Sequence, residues 1–208
     1  MMRTWNAKGS GRLPAAFTDF PKEIKDIIYF YEEDAGSFTR GFPRMLAALE
    51  VMQANYALTD GMAAVLHGGE PFTRLNRILF DEHSWRKVRK RSDLGFRASQ
   101  DGGGGWWLDE KRTDGTALMM SVSFHPLRGI REQLYGLWVV NLPWLILSHL
   151  CRWVDEDYRN EAESLIQARD LDESFTQHLP SSFHYRFLES VHRVREQGLK
   201  KRIHADKE

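Results

Sequence analysis

The chain has 208 residues, 42% of them hydrophobic and 12% aromatic, and its 29 Lys and Arg are balanced by 29 Asp and Glu. That much apolar material excludes wholesale disorder, and the length fits one core or a core with an extension. Zero net charge argues against a protein that coats polyanions over its whole surface, so any charged contact has to be local.

Residues 1–14 are rich in Gly, Lys and Arg and lack the apolar stretch of a secretory signal, so they read as a flexible arm. Residues 15–208 read as a single domain: helical over 21–91, a hairpin over 94–124, and helical again over 127–203. Asp19, Pro21 and Glu23 mark a helix start, and Ile24, Ile27, Ile28 and Tyr31 recur at helical spacing. Pro43 opens a second helix whose apolar face runs through Met45, Leu46, Leu49, Met52 and Tyr56. Asp60 to His67 continues helically until His67-Gly68-Gly69 stops it. Pro71 begins a third helix through Leu75, Ile78 and Leu79 towards a basic segment.

Leu94 to Ser99 reads as a short strand and Asp101 to Gly105 as a loop. Residues 106–124 read as a hairpin about Asp114-Gly115, a strong dipeptide for a two-residue turn. Leu118, Met120, Val122 and Phe124 alternate onto one face of its second arm. Trp106 and Trp107 point to opposite faces of a strand, which predicts one in the core and the other partly exposed. The apolar run Leu137–Cys151 is shorter than the roughly 20 residues of a membrane span, so no membrane contact is expected. It predicts a buried helix pair or one kinked helix, with Cys151 as a small core residue. The acidic stretch Asp155–Glu173 follows, and residues 183–202 form a last amphipathic helix with Phe187, Val191 and Val194 inside. The sum is α+β, predominantly helical, with helices flanking a small antiparallel hairpin around residues 94–124.

Charge is concentrated rather than spread. Five cations lie between Trp85 and Arg91, and residues 74–97 hold eight Arg and Lys against three Asp and Glu. Residues 153–174 show the opposite, eight acids against two Arg. One reading makes Arg86, Lys87, Arg89, Lys90 and Arg91 contact phosphates, Trp85 or Trp106 stack on bases, and Arg97, Lys200, Lys201 and Arg202 add charge. A plainer one docks the basic stretch on the acidic helix or leaves it solvated. The glycines at 102–105 match neither a P-loop nor a dinucleotide fingerprint, and no Gly-x-Ser-x-Gly elbow occurs. No cofactor, metal set or catalytic residue is expected. Glu189-x-x-His192 has the spacing of a di-metal helix element, but no second copy exists.

Two stretches resemble known families in outline. Phe17 to Ile24, its helix, Ala35-Gly36-Ser37 and the next helix resemble a ribbon-helix-helix unit, which implies a DNA-binding dimer. Pro43 inside the second helix, and the lack of Arg or Lys between Leu13 and Pro21, depart from it. Arg186-x5-His192 and Arg77-x5-His83 resemble the motif of helical HEPN ribonucleases, except that apolar Phe187 and Ile78 follow the arginines. The expectations rank as follows: a cytoplasmic, non-enzymatic nucleic-acid-binding or nucleoprotein-assembly protein; a protein-interaction module such as an immunity protein, inhibitor or adaptor; a helical ribonuclease. The expected partner is nucleic acid or another protein, with homo-oligomers left open.

Overall fold

The computed structural model describes residues 38–70, 72, 76–91, 96–100, 104–110 and 119–205. The expected arm, the helix over 21–34, the ribbon-helix-helix outline before residue 38 and the Asp114-Gly115 turn lie outside them. In chain order the elements are α1 (Phe38–Val51), β1 (Tyr56–Thr59), α2 (Asp60–Leu66), β2 (Asn76–Phe80) and α3 (Glu82–Val88). Then come β3 (Phe96–Gln100), β4 (Trp106–Glu110), β5 (Met119–Phe124), β6 (Arg131–Leu134) and β7 (Leu137–Val140). Helices α4 (Leu142–Cys151), α5 (Glu156–Ala168) and α6 (His184–Ala205) close the chain, with two 3-10 turns between α5 and α6.

The strands form one seven-stranded mixed sheet in the order β3-β4-β5-β2-β1-β7-β6. Its centre is the antiparallel pair β1–β2, flanked by β5 parallel to β2 and β7 parallel to β1. This corrects the expectation of a predominantly helical chain around a small hairpin. The hairpin arms do pair, with Trp106 opposite Val122 and Leu108 opposite Met120, but they are one end of a larger sheet.

Burial on both faces explains why the other strands read as helices. Tyr56 and Leu58 point into one core cluster and Ala57 into the other; Ile78 and Phe80 part from Leu79 in the same way, and Val139 from Val140. A strand covered on both sides is apolar throughout and loses the alternation that distinguishes it. Tyr56 and Ala57 therefore belong to β1 rather than to the end of a helix, and Ile78 and Leu79 to β2. The run from Leu137 is a strand followed by a helix, not a helix pair. Asn141 makes the switch by accepting a hydrogen bond from the Trp144 N–H at 3.1 Å, with Pro143 in the first turn of α4. Cys151, expected in the core, is exposed at the end of α4.

One core cluster gathers Met45, Leu46 and Leu49 of α1 with Trp85 and Val88 of α3. The opposite cluster holds Leu145, Ile146, Leu165, Ile166, Phe187 and Val191 from α4, α5 and α6. The last helix thus buries the stripe its sequence predicts. Between α4 and α5, His149 Nε2 lies 3.4 Å from Glu161 Oε2, both wholly buried, and burial pushes the imidazole down to about 3.

Candidate functional site

A cleft of about 970 Å³ opens between α3, β4 and the end of β5. Its aromatic floor draws on four elements, β2, α3, β4 and β5. Trp85 lies 5.5 Å from Phe80, 5.4 Å from Trp106 and 5.8 Å from Phe124, centroid to centroid. Trp85 is only 3% exposed and its indole Nε1–H has no partner, whereas Phe124 is 47% exposed. Unpaired buried donors are uncommon because each forfeits its hydration.

Helix α3 supplies the rim. Asp81 caps it by accepting from the Ser84 N–H at 2.7 Å, and Arg86 pairs with Glu82 at 2.5 Å. Arg89 and Lys90, also on the cleft, have no acidic partner among the described residues. His125 and Pro126 close the far side. The fold thus brings Trp85, Arg86, Arg89, Lys90 and Trp106 to one place. Lys87 lies on α3 outside the cleft lining, and Arg91 just follows α3. Arg97 sits on the edge strand β3 opposite Asp109. Lys200, Lys201 and Arg202 lie in the last turns of α6, whose core residues face the other side of the sheet. Phe124, His125 and Pro126 were missed by sequence reading, since nothing local ties them to α3.

A second polar centre lies at the other end of β2, where β1 turns into α2. Asp60 is 1% exposed there, with its backbone in the left-handed region at φ +55°. Arg77 Nη1 reaches its Oδ2 at 3.3 Å, and Arg152 Nη1 its Oδ1 at 3.4 Å. Burial pushes the Asp60 carboxyl up to about 6, against the pull of the Arg152 guanidinium. Arg77 also donates from Nε to Ser121 Oγ at 3.2 Å, and the Arg152 guanidinium lies 4.6 Å over the Tyr158 ring. Among the described residues, no three His, Cys, Asp or Glu side chains group as metal ligands. No helix among them is long and apolar enough to cross a membrane.

No family model matches the sequence, and no curated protein does. Solved structures do overlap with it. One is an antigenic nucleotidyltransferase-like protein from Paracoccidioides brasiliensis, 15% identical over 84% of this chain and 89% of that one, at a TM-score of 0.49. The antibiotic-resistance factor ANT(2'')-Ia is 14% identical over 79% and 95%, at 0.43. JHP933 from Helicobacter pylori is 9% identical over 91% and 98%, at 0.44.

The expected functions do not survive the fold. A nucleic-acid-binding surface built on Trp85 fails because that ring is in the core. An interaction module using the acidic stretch loses its central members, Glu161 and Glu163, which are buried, although Asp155, Glu156 and Asp157 stay exposed. Glu161 meets His149, Glu163 and Glu173 meet Arg193 and Arg195, and Glu156 meets Arg159. A helical ribonuclease is inconsistent with a seven-stranded sheet that has Arg77 on β2, and Arg186 instead donates to the Leu150 carbonyl at 2.8 Å.

Proposed function

We propose that this chain binds a nucleoside phosphate in the cleft between α3, β4 and the end of β5. The base lies against Trp106 and Phe124, and the phosphates reach Arg89 and Lys90. One observation carries this reading: partly exposed Trp106, half-exposed Phe124 and two cations with no acidic partner among the described residues share one concave site. Stacking accepts any base because every base has a π-face, while phosphates favour unpaired cations. The proposal concerns a mononucleotide enclosed by the cleft rather than a polynucleotide lying along a surface. A cytoplasmic setting belongs to it, since a lone exposed thiol such as Cys151 stays reduced there.

Titration with adenosine, guanosine, cytidine and uridine monophosphates, followed by tryptophan fluorescence and calorimetry, tests the reading. Trp106→Ala is expected to weaken binding roughly 5- to 150-fold, from a stacking contribution of about 1–3 kcal/mol. Arg89→Gln with Lys90→Gln removes most of the salt dependence. Failure of all four nucleotides to saturate the protein at millimolar concentration refutes the proposal. So does wild-type affinity in both variants.

A further inference from the structure

We infer that Arg77 and Arg152 form a binding site for a phosphate group, with Asp60 behind them as the internal anion that keeps the two guanidiniums convergent when no ligand is bound. This inference uses residues at the opposite end of β2 from the cleft and does not rest on the nucleotide reading.

Three observations meet at Asp60. The first is backbone strain in an unusual place. Gln53, Asp60, Tyr135 and Asp170 are the non-glycine residues with positive φ among those described, and Asp60 alone of the four is buried. Residues held in sparse regions of backbone space persist where the surroundings over-determine them, and they cluster at ligand clamps. The exposed three sit in ordinary turns; Asp60 sits where the central strand β1 ends.

The second is the geometry of the arginines. Both approach one carboxylate from different layers, Arg77 from the sheet and Arg152 from the end of α4. Their closest approaches of 3.3 and 3.4 Å are longer than the 2.7–2.9 Å of optimised charge-assisted bonds. Each arginine reaches Asp60 through a single nitrogen, Nη1, rather than through a two-nitrogen fork. Each guanidinium is braced from the side, Arg77 by Ser121 Oγ and Arg152 by the Tyr158 ring, so the orientation is built before any ligand arrives.

The third is charge and access. Two cations face one carboxylate, which leaves one positive charge. Asp60 is closed to solvent at 1% exposure, while the arginine side chains are 17% and 36% exposed. The excess charge is therefore on the solvent side of the cluster, where a tetrahedral oxyanion can take one nitrogen from each arginine. Planar guanidinium groups suit that recognition better than ammonium groups do.

The test uses the full chain with inorganic phosphate and with glycerol 3-phosphate, against sodium chloride at equal ionic strength, by calorimetry and thermal melting. The expected result is saturable binding that Arg152→Gln weakens about tenfold or more, the scale of one lost charged hydrogen bond. Arg77→Gln is expected to do the same, and Lys87→Gln, at a cation outside both sites, to leave phosphate binding unchanged. Tighter binding of the ester supports a phosphorylated small molecule as ligand, and tighter binding of inorganic phosphate supports the free anion. No saturable binding, or an Arg152→Gln protein that binds like wild type, overturns the inference. Arg152 is partly exposed at a helix end, so its variant keeps the test decisive even if the more buried Arg77→Gln protein fails to fold. A protein that binds phosphate here but no nucleotide in the cleft refutes only the nucleotide reading.

Discussion

Replacing Asp60 by Asn isolates the cost of keeping a buried carboxylate ionised. Asparagine has nearly the same shape and tolerates the left-handed backbone that Asp60 adopts at φ +55°. The difference between the two proteins is therefore the charge. The carboxyl rises from 3.8 to about 6 in the fold, chiefly through burial, with Arg152 pulling the other way. At ~1.4 kcal/mol per pH unit, the ionised state costs the fold about 3 kcal/mol relative to the protonated one. No discount for solvent screening applies, because Asp60 is 1% exposed. The sign follows from the direction of the rise. A folded state that takes up the proton more readily is most stable below pH 3.8, and it loses that stability as the pH climbs through 6. Urea unfolding of both proteins from pH 4 to pH 7.5 reads the effect, since the other titrating groups cancel in the difference. The Asn variant is expected to gain about 2–3 kcal/mol on wild type across that range. A difference that stays flat with pH, or runs the other way, refutes the claim that burial outweighs the pull of Arg152.

Three further substitutions test packing and capping. Phe187→Ala, at a side chain with no exposure, is expected to cost about 3–5 kcal/mol in chemical denaturation. A Cβ at Gly69 meets Ser164 Oγ at 2.9 Å and Leu165 Cδ2 at 3.0 Å, so Gly69→Ala should cost about 1–3 kcal/mol, with hydrogen exchange rising first in the Glu70–Ser164 contact. Asp81→Ala removes the cap of the seven-residue α3 and should cost about 1 kcal/mol, seen as faster amide exchange from Ser84 onward.

How much was legible in the sequence depended on which faces were covered. The β4–β5 pairing was readable because turn chemistry and alternation agree there, and α6 because Phe187 and Val191 recur at helical spacing against a polar face. Tyr56 to Leu58, Ile78 to Phe80 and Leu137 to Val140 were not readable as strands, because both faces of each are buried and the apolar run is continuous. The two Trp residues at 106–107 show the limit of an alternation argument, since both turn out to be half-buried. Of the cleft, the α3 cations and Trp106 were visible as a cluster, whereas Phe124 and His125 arrive by way of β5 pairing with β2. The arginine centre left almost no trace. Asp60-Gly61 is a turn-forming dipeptide, a hint that the helix does not run unbroken from residue 43, but nothing local connects it to Arg152.

The strand order also dictates when the molecule can hold together during synthesis. Leu58 in β1 must wait for Val139 in β7, and Ile78 in β2 for Val122 in β5, before either central strand has its second neighbour. Ladders between such distant segments repay chain entropy late, which slows folding relative to a helical protein of similar length. Until β5 and β7 leave the ribosome, β1 and β2 offer two open edges and two apolar faces to any other nascent chain. The strands that end in the middle of the finished sheet are thus the ones most exposed to misassembly while the chain is being made.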